Sequence, residues 1–173
     1  MVTLERPLRR YSMLDSGMLC RLFRSPDVYT PSSDDFSSPE DVQKFVDAAV
    51  SSPHFYILGR NPKTEAYIFA PNHNFATFQA HIGIRKDHRD GSIPERCAEA
   101  SKWMFENTTC RTIIGFVRED NTGARSVLAQ LGAKRQGKLT GSSLFNGQLV
   151  DELIYQLTKD DFNSVWGDTL GVV

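Results

Sequence analysis

The sequence predicts an α/β fold with a mixed central sheet, and three patterns carry that expectation. Apolar residues recur at helical spacing in separate segments, such as Val42, Phe45, Val46, Ala49 and Val50. Between them lie runs that alternate, the longest being Phe75 to Arg85. Near the end, Asn146-Gly147 separates two strand-like runs, a strong hairpin signal. The order that results is β-α-α-β-β-β-α-β-α-β-β. It places a parallel strand pair with a helical crossover between antiparallel strands, which excludes a doubly wound nucleotide-binding fold.

Each element has a local reason. Leu4 to Ser12 reads as the first strand. Leu14, Met18, Leu19, Leu22 and Phe23 make a helix running to about Arg24. Ser25 to Ser38 is rich in Ser, Pro and Asp and reads as a loop. Ser38 is an N-cap candidate for the second helix, with Pro39 at its first position and Pro53 closing it. Strands follow at His54 to Gly59 and Glu65 to Ala70. In the third, Ala76, Phe78, Ala80, Ile82 and Ile84 share one face and Phe75, Thr77, Gln79 and His81 the other.

A polar loop, Lys86 to Gly91, leads to a helix from about Ser92 to Asn107, with Ile93, Cys97, Ala100 and Met104 as its apolar stripe. Ser92 and Glu95 have capping-box spacing. Thr112 to Val117 is apolar enough to expect burial on both faces. Asn121 caps a helix whose inner face is Ala124, Val127, Leu128 and Leu131, and Gly132 ends it. Strands at about Lys134 to Phe145 and Leu149 to Thr158 complete a single domain. A short apolar extension, about residues 163–173, carries Trp166, Leu170, Val172 and Val173. It is expected to dock on the domain or on a partner, in a homo- or hetero-oligomer.

Bulk properties bound the function. The chain has 173 residues, 40% of them hydrophobic and 24% charged, which fits one globular domain. A net charge of −1 gives no global attraction to nucleic acid or to a membrane. Cys20, Cys97 and Cys110 form no C-x-x-C pair, so neither a disulfide framework nor a zinc site is expected. His54, His73 and His88 lack ligand spacing, so no metal is expected. No signal-like or membrane-spanning run appears, and a reducing cytoplasmic setting is the expectation.

One stretch reads Asp90-Gly91-Ser92-Ile93-Pro94-Glu95-Arg96, then Phe105-Glu106, a strand from Thr112, and Asn121-Thr122-Gly123-Ala124. Leu128, Gly132, Gly137, Gly147 and Asp151 follow at regular intervals. Together, from about Gln79 to Phe162, this resembles the GNAT superfamily of N-acyltransferases, especially the Rim-type ribosomal-protein acetyltransferases. The chain is also similar in size and degeneracy to small GNAT-like proteins of bacteriophage morphogenesis clusters.

The resemblance implies a donor, acetyl-CoA, and a primary-amine acceptor. It implies that Ile82, Gly83 and Ile84 lie along the pantetheine and that a backbone N–H there polarises the thioester carbonyl. It implies that Arg89, Gly91, Ser92 and Ile93 meet the pyrophosphate at a helix N-terminus, with Arg85, Lys86 and His88 nearby. Asn121 and Ala124 are expected to flank the pantetheine arm. The sequence departs from the pattern at several places. Arg89 stands at the first glycine position, Ile93 at a small-residue position, and Pro94 removes a donor. Leu128 takes the place of a frequent tyrosine acid, and the third strand offers no carboxylate base. His81 is the candidate base, with Gln79 beside it. Ser126, Ser142, Ser143 and Tyr155 are candidate proton donors.

Two functions therefore stand as expectations: an acetyltransferase acting on a protein N-terminus, lysine or small amine, and a catalytically silent structural protein on the same scaffold. The enzyme requires an open cleft between the strand ending at Ile84 and the strand at Ile113 to Val117, with free N–H groups from Gly91 to Ile93. The scaffold requires that cleft to be filled by side chains.

Overall fold

The chain is built from two four-stranded sheets that meet along one interrupted strand. The computed structural model describes residues 8–10, 15–23, 25, 28, 39–51, 55–60, 63–70 and 73–171. In the first half lie β1 (Leu8–Arg10), α1 (Ser16–Phe23), α2 (Pro39–Val50), β2 (Phe55–Arg60) and β3 (Lys63–Phe69). Then come β4 (Thr77–Gln79), β5 (His81–Ile84), a 3-10 turn at Lys86–His88 and α3 (Ile93–Asn107). The second half holds β6 (Thr112–Arg118), α4 (Thr122–Gln130), β7 (Lys134–Phe145), β8 (Gln148–Thr158) and α5 (Lys159–Leu170). The expected cap at Ser38, the stop at Pro53 and Val172 and Val173 lie outside the described residues.

One sheet has the order β1-β2-β3-β5 and the other β4-β6-β8-β7. All pairings are antiparallel except β4 with β6. That parallel pair needs a long crossover, and α3 supplies it. The expected single strand from Phe75 to Arg85 is thus two strands in different sheets. Phe78 is buried and Ala80 and Ile84 pack on the core, but Ile82 is 39% exposed, so the expected common face breaks after Ala80.

The core lies between α3 and the second sheet. Cys97, Ala100, Met104 and Phe105 of α3 pack with Phe78 of β4, Ile113 of β6 and Leu157 of β8. Ile113, Gly115 and Val117 stand opposite Leu157, Tyr155 and Leu153, so one face of β6 and β8 supplies that side. The other face is not buried as expected. Phe116 is 37% exposed there, because the run Thr112–Arg118 is covered by helices on one side only. A separate buried group beneath α1 and α2 includes Leu19, Leu22, Val28 and Val46.

The last helix closes the core. The Thr158 hydroxyl caps α5 by accepting from the Asp161 N–H at 3.1 Å, and Asp160 and Asp161 suit the positive end of the helix. Phe162 is fully buried and its ring sits 5.6 Å from that of Phe105. Trp166 and Leu170 pack on the same core, and the Trp166 indole N–H donates to the Gln130 carbonyl at 3.1 Å. The apolar segment from Val165 is therefore the second half of a packed helix. Gly132 allows this approach. Its φ is +87°, and a Cβ there would lie 2.9 Å from Val165 Cγ2. Asn146 and Gly147, at φ 52° and 71°, form the expected tight turn between β7 and β8.

If α5 is integral to the core, Phe162→Ala removes a fully buried ring and should cost about 3–5 kcal/mol in urea denaturation. A loss below about 1 kcal/mol would make α5 an appendage.

Candidate active site

The site begins at the interruption between β4 and β5. β4 pairs with β6 through Thr77↔Thr112, Phe78↔Ile113 and Gln79↔Ile114. The last link is the Ala80 N–H donating to the Ile114 carbonyl at 2.9 Å. Beyond it the chain turns to β3, pairing His81 with Phe69 through Ile84 with Ala66. β6 continues from Gly115 to Arg118 with β8 on one edge only. Among the described residues, no strand bridges β5 and this part of β6. Two strand edges thus face each other across a gap, at Ile82–Ile84 and at Gly115–Val117. Backbone groups on such edges need hydrogen-bond partners from water or an extended ligand. This is the cleft the enzyme reading requires.

At its vertex stand Gln79 and His81, two residues apart and linked side chain to side chain. Gln79 Nε2 and His81 Nε2 are 3.0 Å apart. The amide nitrogen donates, so the imidazole Nε2 accepts and the ring proton sits on Nδ1. Burial disfavours the imidazolium and lowers the His81 pKa below its usual value near 6.5. His81 is therefore a neutral imidazole at pH 7, the form a general base needs.

The loop before α3 departs from expectation. Ser92 does not cap the helix, and the Ser92–Glu95 capping box does not form. Asp90 takes that role. Its Oδ1 accepts from the Ser92 N–H at 2.9 Å and from the Ser92 hydroxyl, and its carbonyl accepts from the Ile93 N–H at 3.3 Å. Two donors expected to be free for phosphate are thus engaged by the chain itself. The loop cations are engaged as well. Arg85 forms a two-pronged pair with Asp87, and Arg89 Nε donates to the Ile84 carbonyl at 3.1 Å. Gly91 is exposed, with open space where a side chain would go.

On α4, Asn121 caps as expected, accepting from the Ala124 N–H at 3.1 Å. Ser126 is exposed, and its hydroxyl accepts from Gln130 Nε2 at 3.2 Å. Nothing links it to the Gln79–His81 pair. Ser142 donates to Glu152 at 2.9 Å in the hairpin. Tyr155 is buried opposite Gly115, where the missing side chain leaves room for its ring. Cys97 and Cys110 are core residues whose thiols burial pushes up to about 12 and about 11, so neither is a thiolate nucleophile.

Residues the sequence reading passed over complete the surroundings. Ile114 and Phe116 of β6 and Ile154 and Gln156 of β8 share the face that carries Gln79. Strict alternation along β6 was the available signal. An open depression of about 420 Å³ lies at the C-terminal end of β6, lined by Glu119, Asp120, Leu149, Val150 and Asp151. Its carboxylates are already served. Lys138 bridges Glu119 and Asp151 at 2.7 and 2.6 Å, and Arg118 holds Asp120 at 2.9 Å. The interrupted strand, with unserved edges and a neutral base, is the better candidate.

The lowered His81 pKa has a signed consequence. Between the folded-state pKa and about 6.5 the unfolded chain binds a proton that the folded chain does not, so stability falls as pH falls through that window. His81→Asn should flatten that slope in pH-dependent urea denaturation. An unchanged slope, or an imidazole midpoint at or above 6.5 by NMR, would contradict the burial account.

No protein-family model matches the sequence, and no curated protein matches it. Solved structures do. The chain is similar to Mycobacterium smegmatis RimJ in complex with CoA-disulfide, at TM-score 0.76 and 15% identity over 95% of this chain and 87% of that one. It is similar to Vibrio cholerae spermidine N-acetyltransferase in complex with CoA and spermine, at TM-score 0.75 and 13% identity over 90% and 96%. It is also similar to the ribosomal-protein-S5-alanine acetyltransferase of Vibrio fischeri, at TM-score 0.72 and 17% identity over 90% and 93%. Likeness at such identities speaks to architecture, and on that evidence the chain has the fold of the GNAT acetyltransferases.

Proposed function

We propose that this protein is an N-acyltransferase that moves an acetyl group from acetyl-CoA to a primary amine. One observation carries the reading: the strand ladder opens at Ala80 and leaves two edges apart beside a neutral histidine. Solved relatives by fold include structures bound to CoA, which supports the choice of donor.

The chemistry follows from these parts. The pantetheine arm lies against Ile82–Ile84 and is flanked by Asn121 and Ala124. A backbone N–H on the β5 edge polarises the thioester carbonyl. His81 takes a proton from the incoming ammonium once the Gln79 amide gives up Nε2. The amine nitrogen then bonds to the carbonyl carbon, the carbon–sulfur bond breaks, and the leaving thiolate takes up a proton. The acceptor approaches over the face carrying Ile114 and Phe116. That face suits an amine on an aliphatic or peptide chain, and a protein N-terminus fits best.

A second reading, a silent scaffold, is favoured by two observations. Asp90 occupies the helix donors, and Leu128 stands where a tyrosine acid would serve. The two readings separate on binding. Under the enzyme reading, acetyl-CoA and desulfo-CoA bind saturably, and ligand at 100 times its Kd raises stability by about 2.7 kcal/mol. Gly91→Glu adds a negative charge where there is open space and should abolish that binding without unfolding the protein. No binding at millimolar ligand would retire the enzyme.

Asp90 provides a sharper check. Asp90→Ala removes a helix cap and should cost the unliganded protein about 1 kcal/mol in thermal or urea unfolding. By freeing the Ser92 N–H it should also tighten acetyl-CoA binding severalfold in calorimetry. Equal or weaker binding would show that Asp90 does not compete with the donor.

A further inference from the structure

We propose that Arg96 is the cation that receives the phosphate end of the donor, a role the loop before α3 does not fill; the inference rests on the acyl-CoA reading above. Arg96 is 8% exposed, in the second turn of α3. Among the described residues its side chain forms no hydrogen bond and no ion pair. Its charge is felt only through space, by Cys97 and Glu99 on the same helix.

Arg118 provides the contrast. It is equally buried, yet it is held by Asp120 at 2.9 Å and lies 3.3 Å over the Phe145 ring. A buried guanidinium without a partner is costly, and an anion that arrives with a ligand would remove that cost.

Position favours the same end of the helix. Side chains on a helix lean toward its N-terminus, and an arginine stem covers about one 5.4 Å turn. From residue 96 it runs toward the turn opened by Ser92 and Ile93, where the helix dipole already favours an anion. The orphaned buried polar atoms are Glu99 Oε2, Arg125 Nε and Asn163 Oδ1, so the Arg96 nitrogens keep an opening to the surface. Arg85 and Arg89 are tied within the loop. A guanidinium fork matches phosphate oxygens, so the ligand chemistry is a phosphate or diphosphate.

The test titrates wild type, Arg96→Lys and Arg96→Met with CoA, dephospho-CoA, pantetheine and inorganic pyrophosphate. Arg96→Met should weaken CoA at least tenfold and leave pantetheine unchanged, with Arg96→Lys between. A drop confined to CoA, with dephospho-CoA spared, assigns the 3′-phosphate; an equal drop in both assigns the diphosphate. Without ligand, Arg96→Met should melt at or above the wild-type temperature, since it removes a buried unpaired charge. Equal CoA affinity in wild type and Arg96→Met would overturn the assignment while leaving the acyl-CoA reading intact. Arg96-dependent pyrophosphate binding without CoA binding would keep the anion site and retire acyl transfer. Binding of neither ligand by wild type would end both.

Discussion

A strand has two edges, and a sheet is continuous only while both keep their neighbours. Between Gln79 and His81 this chain exchanges one neighbour for another. Up to Ala80 it is bonded to β6, and the Ala80 N–H to Ile114 carbonyl bond is the last of that ladder. From His81 it belongs to β3. The two sheets are therefore joined at one point and diverge from it. The gap between β5 and β6 follows, as does the place of α3, which must cross from the end of one sheet to the start of the other. Phe78 and Ala80 anchor the junction in the core, so it is fixed by packing and not only by hydrogen bonds.

Around that gap the electrostatics are those of a resting site. His81 is neutral because it is buried, and its Nε2 is occupied by Gln79. The donors at the start of α3 are occupied by Asp90. Each of these contacts lies between neighbours in sequence, and each involves a group that a substrate would also seek. Hydrogen-bonding groups cannot be left unmet in a folded protein, so an empty site satisfies them internally. Binding then becomes an exchange of partners. The buried Arg96 is the exception, and that is why it stands out.

Much of the fold was legible because it depends on local chemistry. The Asn146-Gly147 turn, the Asn121 cap, Pro39 at the start of α2 and the stripe of α3 are decided by residues within a few positions of one another. The split at Ala80 was not legible. Alternation from Ala76 to Ile84 reports which way side chains point, and it continues whether the backbone is bonded to β6 or to β3. Phe116 was read as buried because an apolar run looks alike whether one face or two is covered. Ser92 was read as the cap because Asp90, two residues earlier, is an equally good capping residue and spacing does not choose between them. Gln79 and His81 were named as candidates from their shared strand face, and the structure brings them into contact. Ser126 was named from its helix alone, and nothing in the structure joins it to that pair. The charged loop was expected to wait for phosphate, but Arg85 and Asp87 are close enough in sequence to satisfy each other.

The account turns on whether the gap between β5 and β6 takes an extended ligand. Amide hydrogen exchange, residue by residue, with and without saturating desulfo-CoA, measures that most directly. Slower exchange at Ile82–Ile84 and Gly115–Val117, with β2 and β7 unchanged, is the result the account predicts. Protection confined to other segments, with both facing edges exchanging as before, would contradict it.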